Sequence, residues 1–380
     1  MTDPTQNVWR ALEHVLDPEI RKPLTELDMI RHVSVDDSGN ASVTLALTIT
    51  GCPAADAIHA EVSAATLRVA GVTSVTVNRE VMTPDERRAL TEKLRGGRQA
   101  RAIPFNAQSL TRIYAVTSGK GGVGKSSVTA NLGVSLAKLG LRVGIIDVDI
   151  HGFSIPGLLG LTNAERLAER PTRIDEMILP PVAYDVKVIS IGMFVESNRT
   201  AVAWRGPMLH RTIEQFLRDV FFGDLDVLLL DLPPGTGDVA ISLGQLLPHA
   251  EVLVVTTPQH AAADVAERSG VLATSTGQRV VGVIENMAGF TGPDGTVIDI
   301  FGTGGGAEVA RRLTSHGDTP VPLLASIPLS MAVRIGGDEG VPVVISHPDD
   351  PASTIFETLA HTLSHRSRGL TGKKLDITIR

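Results

Sequence analysis

The segment SGKGGVGKSS, residues 118–127, contains the spacing G-x-x-x-x-G-K-S, which binds the phosphates of a nucleotide. Its glycines let backbone N–H groups curl around phosphate oxygens, Lys125 supplies positive charge to the β- and γ-phosphates, and the Ser126 hydroxyl suits Mg²⁺. The apolar segment IYAVTS precedes the motif and an amphipathic helix follows it, as the motif requires. The predicted nucleotide-binding residues of this loop are Gly119, Lys120, Gly121, Gly122, Val123, Gly124, Lys125, Ser126 and Ser127.

Acidic residues follow two other apolar strands. Asp231 ends VLLLD, where a carboxylate can hold Mg²⁺ through water, and an unpaired buried carboxylate there would be costly. Asp147 and Asp149 follow VGIID: they point to opposite faces if the strand continues, and both reach the phosphates if it has ended. A helix- or loop-capping role for these two is the alternative. The predicted Mg²⁺ ligands are Ser126, Asp147 and Asp231.

The base of the nucleotide is predicted from a missing signature. The N-K-x-D sequence that reads guanine does not occur in the chain, so ATP is the expected nucleotide. Asn286, in VIENM at the end of a late strand, is a candidate contact to the base. A role as a turn residue is equally open for Asn286.

The elements that must position these residues alternate along the chain from Arg112 onward. Continuous apolar strands interleaved with amphipathic helices predict an α/β domain with a doubly wound parallel sheet and ligands at the strands' carboxyl ends. Residues 1–95 instead predict a small α+β domain. We therefore expect the front domain at 1–95, a linker at 96–110, a nucleotide-binding domain at 111–370 and a tail at 371–380.

Composition limits the class of partner. The chain has 35 Lys plus Arg against 42 Asp plus Glu, a net charge of -7, which disfavours nucleic acid and anionic membranes as partners. The N-terminus lacks a basic start followed by an apolar stretch, and no run approaches the roughly 20 apolar residues that span a bilayer. We expect a cytoplasmic protein that binds neither nucleic acid nor membrane.

Six motifs along the chain resemble those of one known family. They are SGKGGVGKSS, DVDIHG, WRGPM, LLLDLPPGTGD, VIENM and IFGTGGG, in this order. As a set they resemble the Mrp/ApbC family of P-loop ATPases, iron–sulfur cluster carriers related to MinD and ParA. DPEI and TGCP, in residues 1–95, resemble the small iron–sulfur-assembly domain that bacterial members often carry in front. The resemblance covers nearly the whole chain.

The resemblance implies a function and several residue roles. It implies an ATP-hydrolysing homodimer that binds iron–sulfur clusters and transfers them to apoprotein clients or assists that delivery, with iron–sulfur assembly proteins as further partners. Lys120 is implied as a catalytic residue that reaches the phosphates bound by the partner chain, where it offsets transition-state charge. The resemblance implies Asp149 as a catalytic switch residue near the attacking water. It also implies that Asp231 and Asp238 lie in the region that responds to the γ-phosphate.

The chain departs from the family where many members carry a C-x-x-C pair that bridges one cluster between two chains. Here the stretch is ENMAGFTGPDGTVIDIFGTGGG, without cysteine, and Cys52 is the single cysteine of the sequence. A Cys-ligated cluster needs about four thiolates, whereas a symmetric dimer has two copies of Cys52. Three interpretations stay open: a buried turn residue, a cluster ligand or transfer thiol aided by a client or small thiol, and a reactive thiol whose pKa is lowered by a helix that Pro53 opens.

The alternative function is a MinD- or ParA-like nucleotide-gated switch, or an adaptor for the cluster machinery, without cluster binding. The C-terminal segment RSRGLTGKKLDITIR has no apolar helical face for a membrane, which disfavours a MinD-like role. Arg205, in WRGPM, is predicted to touch phosphate or the partner chain, or to lie on the surface. Four histidines lack ligand spacing and are expected to have structural or surface roles: His151, His210, His249 and His260.

Overall fold

The computed structural model describes residues 3–96, 103–150, 152–195, 206–292, 294–317 and 319–366. Residues 3–96, the front domain, form a three-stranded sheet with helices. Strands β1 and β2 are antiparallel, and β2 and β3 are parallel, so the predicted α+β class is confirmed. The elements are α1 (Pro4–Leu12), β1 (Ile30–Val35), β2 (Asn40–Leu47), α2 (Ala55–Leu67), β3 (Ser74–Val81) and α3 (Pro84–Arg95).

Residues 103–366, the large domain, alternate strands and helices. The first half contains β4 (Arg112–Ser118), α4 (Lys125–Lys138), β5 (Val143–Asp147), α5 (Ile155–Leu158), β6 (Thr172–Ile174), β7 (Met177–Leu179), β8 (Val182–Ala183), β9 (Val186–Ser190), a 3-10 turn (Ile191–Phe194), α6 (Gly206–Asp219) and β10 (Val227–Asp231). The second half contains α7 (Asp238–Leu246), β11 (Glu251–Thr256), α8 (His260–Ser275), β12 (Arg279–Ala288), β13 (Phe290–Thr291), β14 (Val297–Ile298), α9 (Gly305–Ser315), β15 (Leu323–Pro328), α10 (Met331–Glu339), α11 (Val343–Ser346) and α12 (Pro351–Ser364).

The main sheet of the large domain has eight strands in the order β15-β12-β11-β4-β10-β5-β9-β8. All neighbouring pairs are parallel except β8 and β9 at one edge. The strand order reverses next to β4, and such a reversal opens the crevice in which doubly wound sheets bind ligands. The predicted doubly wound parallel sheet is confirmed.

The central strands are apolar because helices cover both of their faces. Every residue of β5, β9 and β10 is buried, which explains runs such as VLLLD that lack alternation. Helix α4 lies close to this sheet at Gly133, where an added Cβ would come within 2.8 Å of Ile145 Cδ1. Glycine at this position therefore lets the helix after the phosphate-binding loop approach β5.

The two domains share a core and polar contacts. The hairpin of β6 and β7 belongs to the large domain, yet Ile174, Met177 and Leu179 pack in the front-domain core. The Thr172 hydroxyl donates a 2.7 Å hydrogen bond to Glu19 Oε1. The front domain therefore packs against this hairpin.

Several elements differ from the sequence expectations. β1 and α3 were not predicted; α3 is mostly polar and starts with a capping box between Thr83 and Glu86. Phe105, placed in the predicted linker, is buried in the large-domain core. The predicted tail and residues 97–102 of the linker lie outside the described residues, and the domain boundaries stay predictions. In the described part of the chain no helix is both long and apolar enough to span a membrane.

Candidate functional site

The phosphate-binding loop joins β4 to α4, and its glycines are required by backbone shape and by close contacts. Gly122 and Gly124 have φ of 81° and 78°, which disfavour other residues. An added Cβ on Gly119 would lie 2.2 Å from the carbonyl carbon of Val265 in α8. On Gly124 it would lie 2.2 Å from the amide nitrogen of Asn286. The loop is therefore clamped between α8 and the end of β12.

Lys125 and Ser126 are the first residues of α4, and both contact Asp231 at the end of β10. Lys125 Nζ lies 2.6 Å from Asp231 Oδ2, and the Ser126 hydroxyl donates to the same oxygen at 2.6 Å. Thr129, one turn further along α4, donates to Asp231 Oδ1 at 2.7 Å. Asp231 is completely buried, so these donors compensate its charge. The structure brings together the three residues that sequence spacing placed at the phosphates, and adds Thr129.

Asp147 and Asp149 both turn toward the site because β5 ends at Asp147. Asp149 Oδ2 lies 3.8 Å from Lys125 Nζ. Asp147 is completely buried and accepts hydrogen bonds from the Asp149 backbone N–H at 3.1 Å and the Ser190 hydroxyl at 3.0 Å. Burial, and then the nearby charge of Asp231, raise the pKa of Asp147. The strand has therefore ended before Asp149, while contact of both carboxylates with phosphates stays a prediction. Asp149 also accepts a hydrogen bond from the Gly152 backbone N–H at 3.1 Å, so both carboxylates make the contacts of the loop-capping alternative.

Lys120 does not join this cluster. Its amine donates a 2.9 Å hydrogen bond to Gln259 Oε1, and Gln259 immediately precedes α8. Sequence reasoning did not select Gln259, although its place directly after a strand at the sheet's carboxyl edge was a usable signal. Lys120 is thus held away from Lys125, on the side of the loop that faces α8.

Asn286 and Asp238 lie at the edges of the site. Asn286 is 7% exposed and its amide donates to the Val123 carbonyl at 2.9 Å, so it supports the loop; its contact with a base stays a prediction. Asp238 is exposed and begins α7, and an added Cβ on Gly206 would lie 2.7 Å from its carboxylate. The proposed contacts of Arg205 fall outside the described residues.

Cys52 is 7% exposed and lies in the turn before α2. Burial raises the pKa of its thiol, and the carboxylates of Glu19 and Asp17 raise it further, although backbone N–H groups of α2 oppose the change. The interpretation of Cys52 as a thiol with a lowered pKa is therefore wrong, because burial outweighs the helix N-terminus. Pro53 also lies outside the helix, which begins at Ala55.

The residues around Asp231 fit Mg²⁺, whose ligands are oxygen atoms and which binds beside nucleotide phosphates. Ser126 offers a hydroxyl and Asp231 a carboxylate at 2.6 Å from each other. When bound there, Mg²⁺ would neutralise phosphate charge. Within the described residues, no group of three or more His, Cys, Asp or Glu side chains is arranged to hold a metal ion. This chain thus offers partial coordination that phosphates would complete.

The fold and the site define a P-loop nucleotide-binding protein with an added front domain. Residues 109–364 match the family described as NUBPL iron-transfer P-loop NTPase, and residues 5–77 match the family described as iron–sulfur cluster assembly protein. The chain belongs to this family of iron-transfer P-loop NTPases.

Individual relatives agree with this assignment. The chain is 53% identical over 368 residues to a protein of Mycobacterium tuberculosis named iron–sulfur cluster carrier protein, covering 97% of this chain and 95% of that one. It is 41% identical to the protein of the same name from Bacillus subtilis, covering 85% and 87%. A nucleotide-binding protein from Archaeoglobus fulgidus, solved with ADP, superimposes with a TM-score of 0.51 at 36% identity, covering 60% and 86%.

Proposed function

We propose that this protein is a homodimeric ATPase that uses ATP and Mg²⁺ to deliver iron–sulfur clusters to apoprotein clients. The observation that carries the proposal is the buried contact of Lys125 and Ser126 with Asp231 at the carboxyl edge of the sheet. This contact lies at the first turn of α4, where the helix dipole favours phosphate, and it supports a phosphate-binding role for Lys125 and an Mg²⁺-binding role for Ser126. The names of the relatives supply the cargo.

Hydrolysis would proceed by attack of a water oxygen on the γ-phosphorus. The bond to the β–γ bridging oxygen breaks, and ADP, phosphate and the proton of the water are released. Asp149 is close enough to Lys125 to orient that water, and Lys125 would stabilise charge on the γ-phosphate. Lys120 would leave Gln259 and reach the phosphates of the partner subunit, which makes hydrolysis depend on dimer formation.

The nucleotide part of the proposal is tested with two lysine variants. We expect Lys125→Ala to weaken ATP binding, because it removes the cation at the phosphates. Lys120→Ala should preserve ATP affinity and abolish the increase of ATP turnover with protein concentration. Equal turnover of the wild type and Lys120→Ala at all concentrations would contradict the role across the dimer.

Cys52 is the residue through which this chain would handle the cluster. A homodimer contributes two thiols, and a cluster needs about four ligands, so the remaining ligands would come from the client or from a small thiol. Because the thiol is buried and its pKa is raised, it fits transient contact during transfer better than permanent storage. Delivery assisted by the chain is therefore favoured over carriage by the chain alone.

The cargo part is tested by anaerobic transfer to an apo-ferredoxin. Wild-type protein with ATP should accelerate the appearance of the ferredoxin's visible absorption, and Cys52→Ala should remove the acceleration while ATP turnover stays unchanged. Cys52→Ser is the matched control for side-chain size. If Cys52→Ala accelerates transfer as well as the wild type, thiol-mediated delivery is wrong even though the ATPase proposal stands.

The single cysteine also favours a second candidate, an ATP-gated adaptor that binds the cluster machinery without touching a cluster. In that case reconstitution with iron and sulfide yields no bound cluster. ATP should then change the affinity for an assembly protein equally in the wild type and Cys52→Ala, as measured by co-sedimentation.

A further inference from the structure

A cavity of about 740 Å³ lies between the two domains, away from the nucleotide site. Leu16 and Ile20 of the front domain line it, and Phe105, Val220 and Phe222 contribute apolar surface from the large domain. Its volume falls in the range of pockets for small molecules, roughly 300–1,000 Å³. The cavity therefore has the size and the apolar walls of a binding site, and it bridges both domains.

Lys187 of β9 forms part of the wall and is only 7% exposed. Its amine lies 5.1 Å from the centre of the Phe221 ring. Among the described residues, no carboxylate lies within 4.0 Å of this amine and no hydrogen bond reaches it. Burial, and then the charge of Arg21, lower the pKa of Lys187 to about 8, although the carboxylates of Asp17 and Glu19 oppose the change, so the amine is still charged at neutral pH. These two carboxylates lie beyond 4.0 Å, so the amine lacks a direct ion pair among the described residues, and a charge buried without one is costly, which points to a partner that binds there.

Five of the six other wall cations have carboxylate partners within the protein, and the sixth, Arg95 at the end of α3, is more exposed than Lys187. Arg21 pairs with Asp185 at 2.7 Å and Lys93 with Asp28 at 2.8 Å. Lys22, Arg142 and Arg218 also have carboxylate partners within the protein. Lys187 is therefore the deeply buried wall cation that has no carboxylate within 4.0 Å among the described residues.

The chain's own neighbouring segment does not supply the missing anion. Residues 97–102 connect the described residues Gly96 and Ile103 and lie outside the described structure. Their sequence, GRQARA, contains two arginines and no acidic residue. A carboxylate or phosphate for Lys187 must therefore come from elsewhere.

We propose that this interdomain cavity binds a small anionic molecule, whose carboxylate or phosphate pairs with Lys187 and whose apolar body packs against Phe105, Val220 and Phe222. The ligand contacts the front domain through Leu16 and Ile20, so its binding holds the two domains together. It also gives the Lys187 ammonium a counter-ion in direct contact, whereas the carboxylates of Asp17 and Glu19 act on it from beyond 4.0 Å.

The test uses the fluorescent aromatic anion 1-anilinonaphthalene-8-sulfonate as the probe, with full-length protein at pH 7. Octanoate and octyl phosphate compete with the probe and represent carboxylate and phosphate ligands, and octanol is the uncharged control. We expect both anions to displace the probe, and octanol to do so at least about tenfold less well, because it lacks the charge-assisted hydrogen bond. The tighter of the two anions identifies the headgroup.

Three variants locate the site. Lys187→Met should weaken probe binding about tenfold or more, and Lys187→Arg should retain it. Lys93→Met, at a wall cation that already has a partner, should leave it unchanged. Equal probe affinity in Lys187→Met and the wild type, or displacement by octanol as effective as by octanoate, overturns the proposal. If Lys187→Met loses its circular dichroism signal, the octanoate–octanol comparison and Lys187→Arg decide without it.

Discussion

Lys125 and Lys138 lie on the same helix, α4, and each amine is 2.6 Å from a carboxylate oxygen. The two ion pairs differ in burial. The side chains of Lys125 and Asp231 are 6% and 0% exposed, whereas those of Lys138 and Glu357 are 37% and 42% exposed. Removing one member of a buried pair costs about 3–5 kcal/mol, while an exposed pair contributes about 0–1 kcal/mol. The two lysines should therefore differ strongly in their effect on stability.

We expect Lys125→Met to lower the free energy of unfolding of the nucleotide-free protein by about 3 kcal/mol. This is the lower end of the range, because the hydroxyls of Ser126 and Thr129 still donate to Asp231. Lys138→Met should lower it by less than about 1 kcal/mol. With a urea m-value of about 3 kcal/mol/M, the midpoints shift by ~1 M and by less than ~0.3 M.

The assay is urea unfolding followed by far-UV circular dichroism, without nucleotide or divalent cation, so that ligand binding adds nothing to stability. Methionine keeps the length of the lysine stem and its packing. Adding Asp231→Leu to Lys125→Met removes the orphaned charge and should recover part of the loss. Equal midpoint shifts for Lys125→Met and Lys138→Met would refute the reasoning from burial.

Three further outcomes follow from single contacts. Gln259→Glu should form an ion pair of about 1 kcal/mol with Lys120 of the same subunit and so slow ATP turnover several-fold. Gln259→Ala should leave ATP turnover unslowed, and a steady-state phosphate-release assay measures both variants. Burial raises the pKa of Glu19 to about 7, so its carboxyl binds more protons in the folded state than in the unfolded state between pH 4.5 and 7. The free energy of unfolding should fall across that range, and denaturation of Glu19→Gln should show a fall that is smaller by on the order of 3 kcal/mol. Native Cys52 should react with iodoacetamide at least about tenfold more slowly than in urea, measured by mass spectrometry, and equal rates would show that the thiol is accessible.

The parts of the fold that the sequence predicted have strong local signals. Runs such as VLLLD and EVLVVT are buried on both faces and are therefore continuously apolar, a pattern that predicts central parallel strands. Helix α3 lacked such a signal, because only Leu90 and Thr91 of its twelve residues are buried. The β6–β7 hairpin has strands of three residues, too short for a period to be visible.

The residues of the candidate site also differ in whether the sequence predicts them. Lys125 and Ser126 were predictable because the motif and the following helix fix their direction within ten residues. Gln259 was not, since its contact with Lys120 spans 139 positions and depends on how α8 packs against the loop. The pKa of Cys52 was misjudged because the sequence shows the helix start but not the burial that outweighs it.

The two carboxylates that end β5 and β10 occupy equivalent positions in the sequence pattern but have different surroundings in the fold. Asp147 and Asp231 are in register on adjacent strands, and both are completely buried. Asp231 receives the ammonium of Lys125, whereas Asp147 receives hydrogen bonds from the neutral Asp149 N–H and Ser190 hydroxyl. Burial together with the charge of Asp231 raises the pKa of Asp147. Asp147 therefore holds its proton more tightly, and a protonated carboxyl is a poor ligand for a cation. On this ground we rank Asp231 ahead of Asp147 as the carboxylate that would serve Mg²⁺, a distinction that equal positions at two strand ends do not contain.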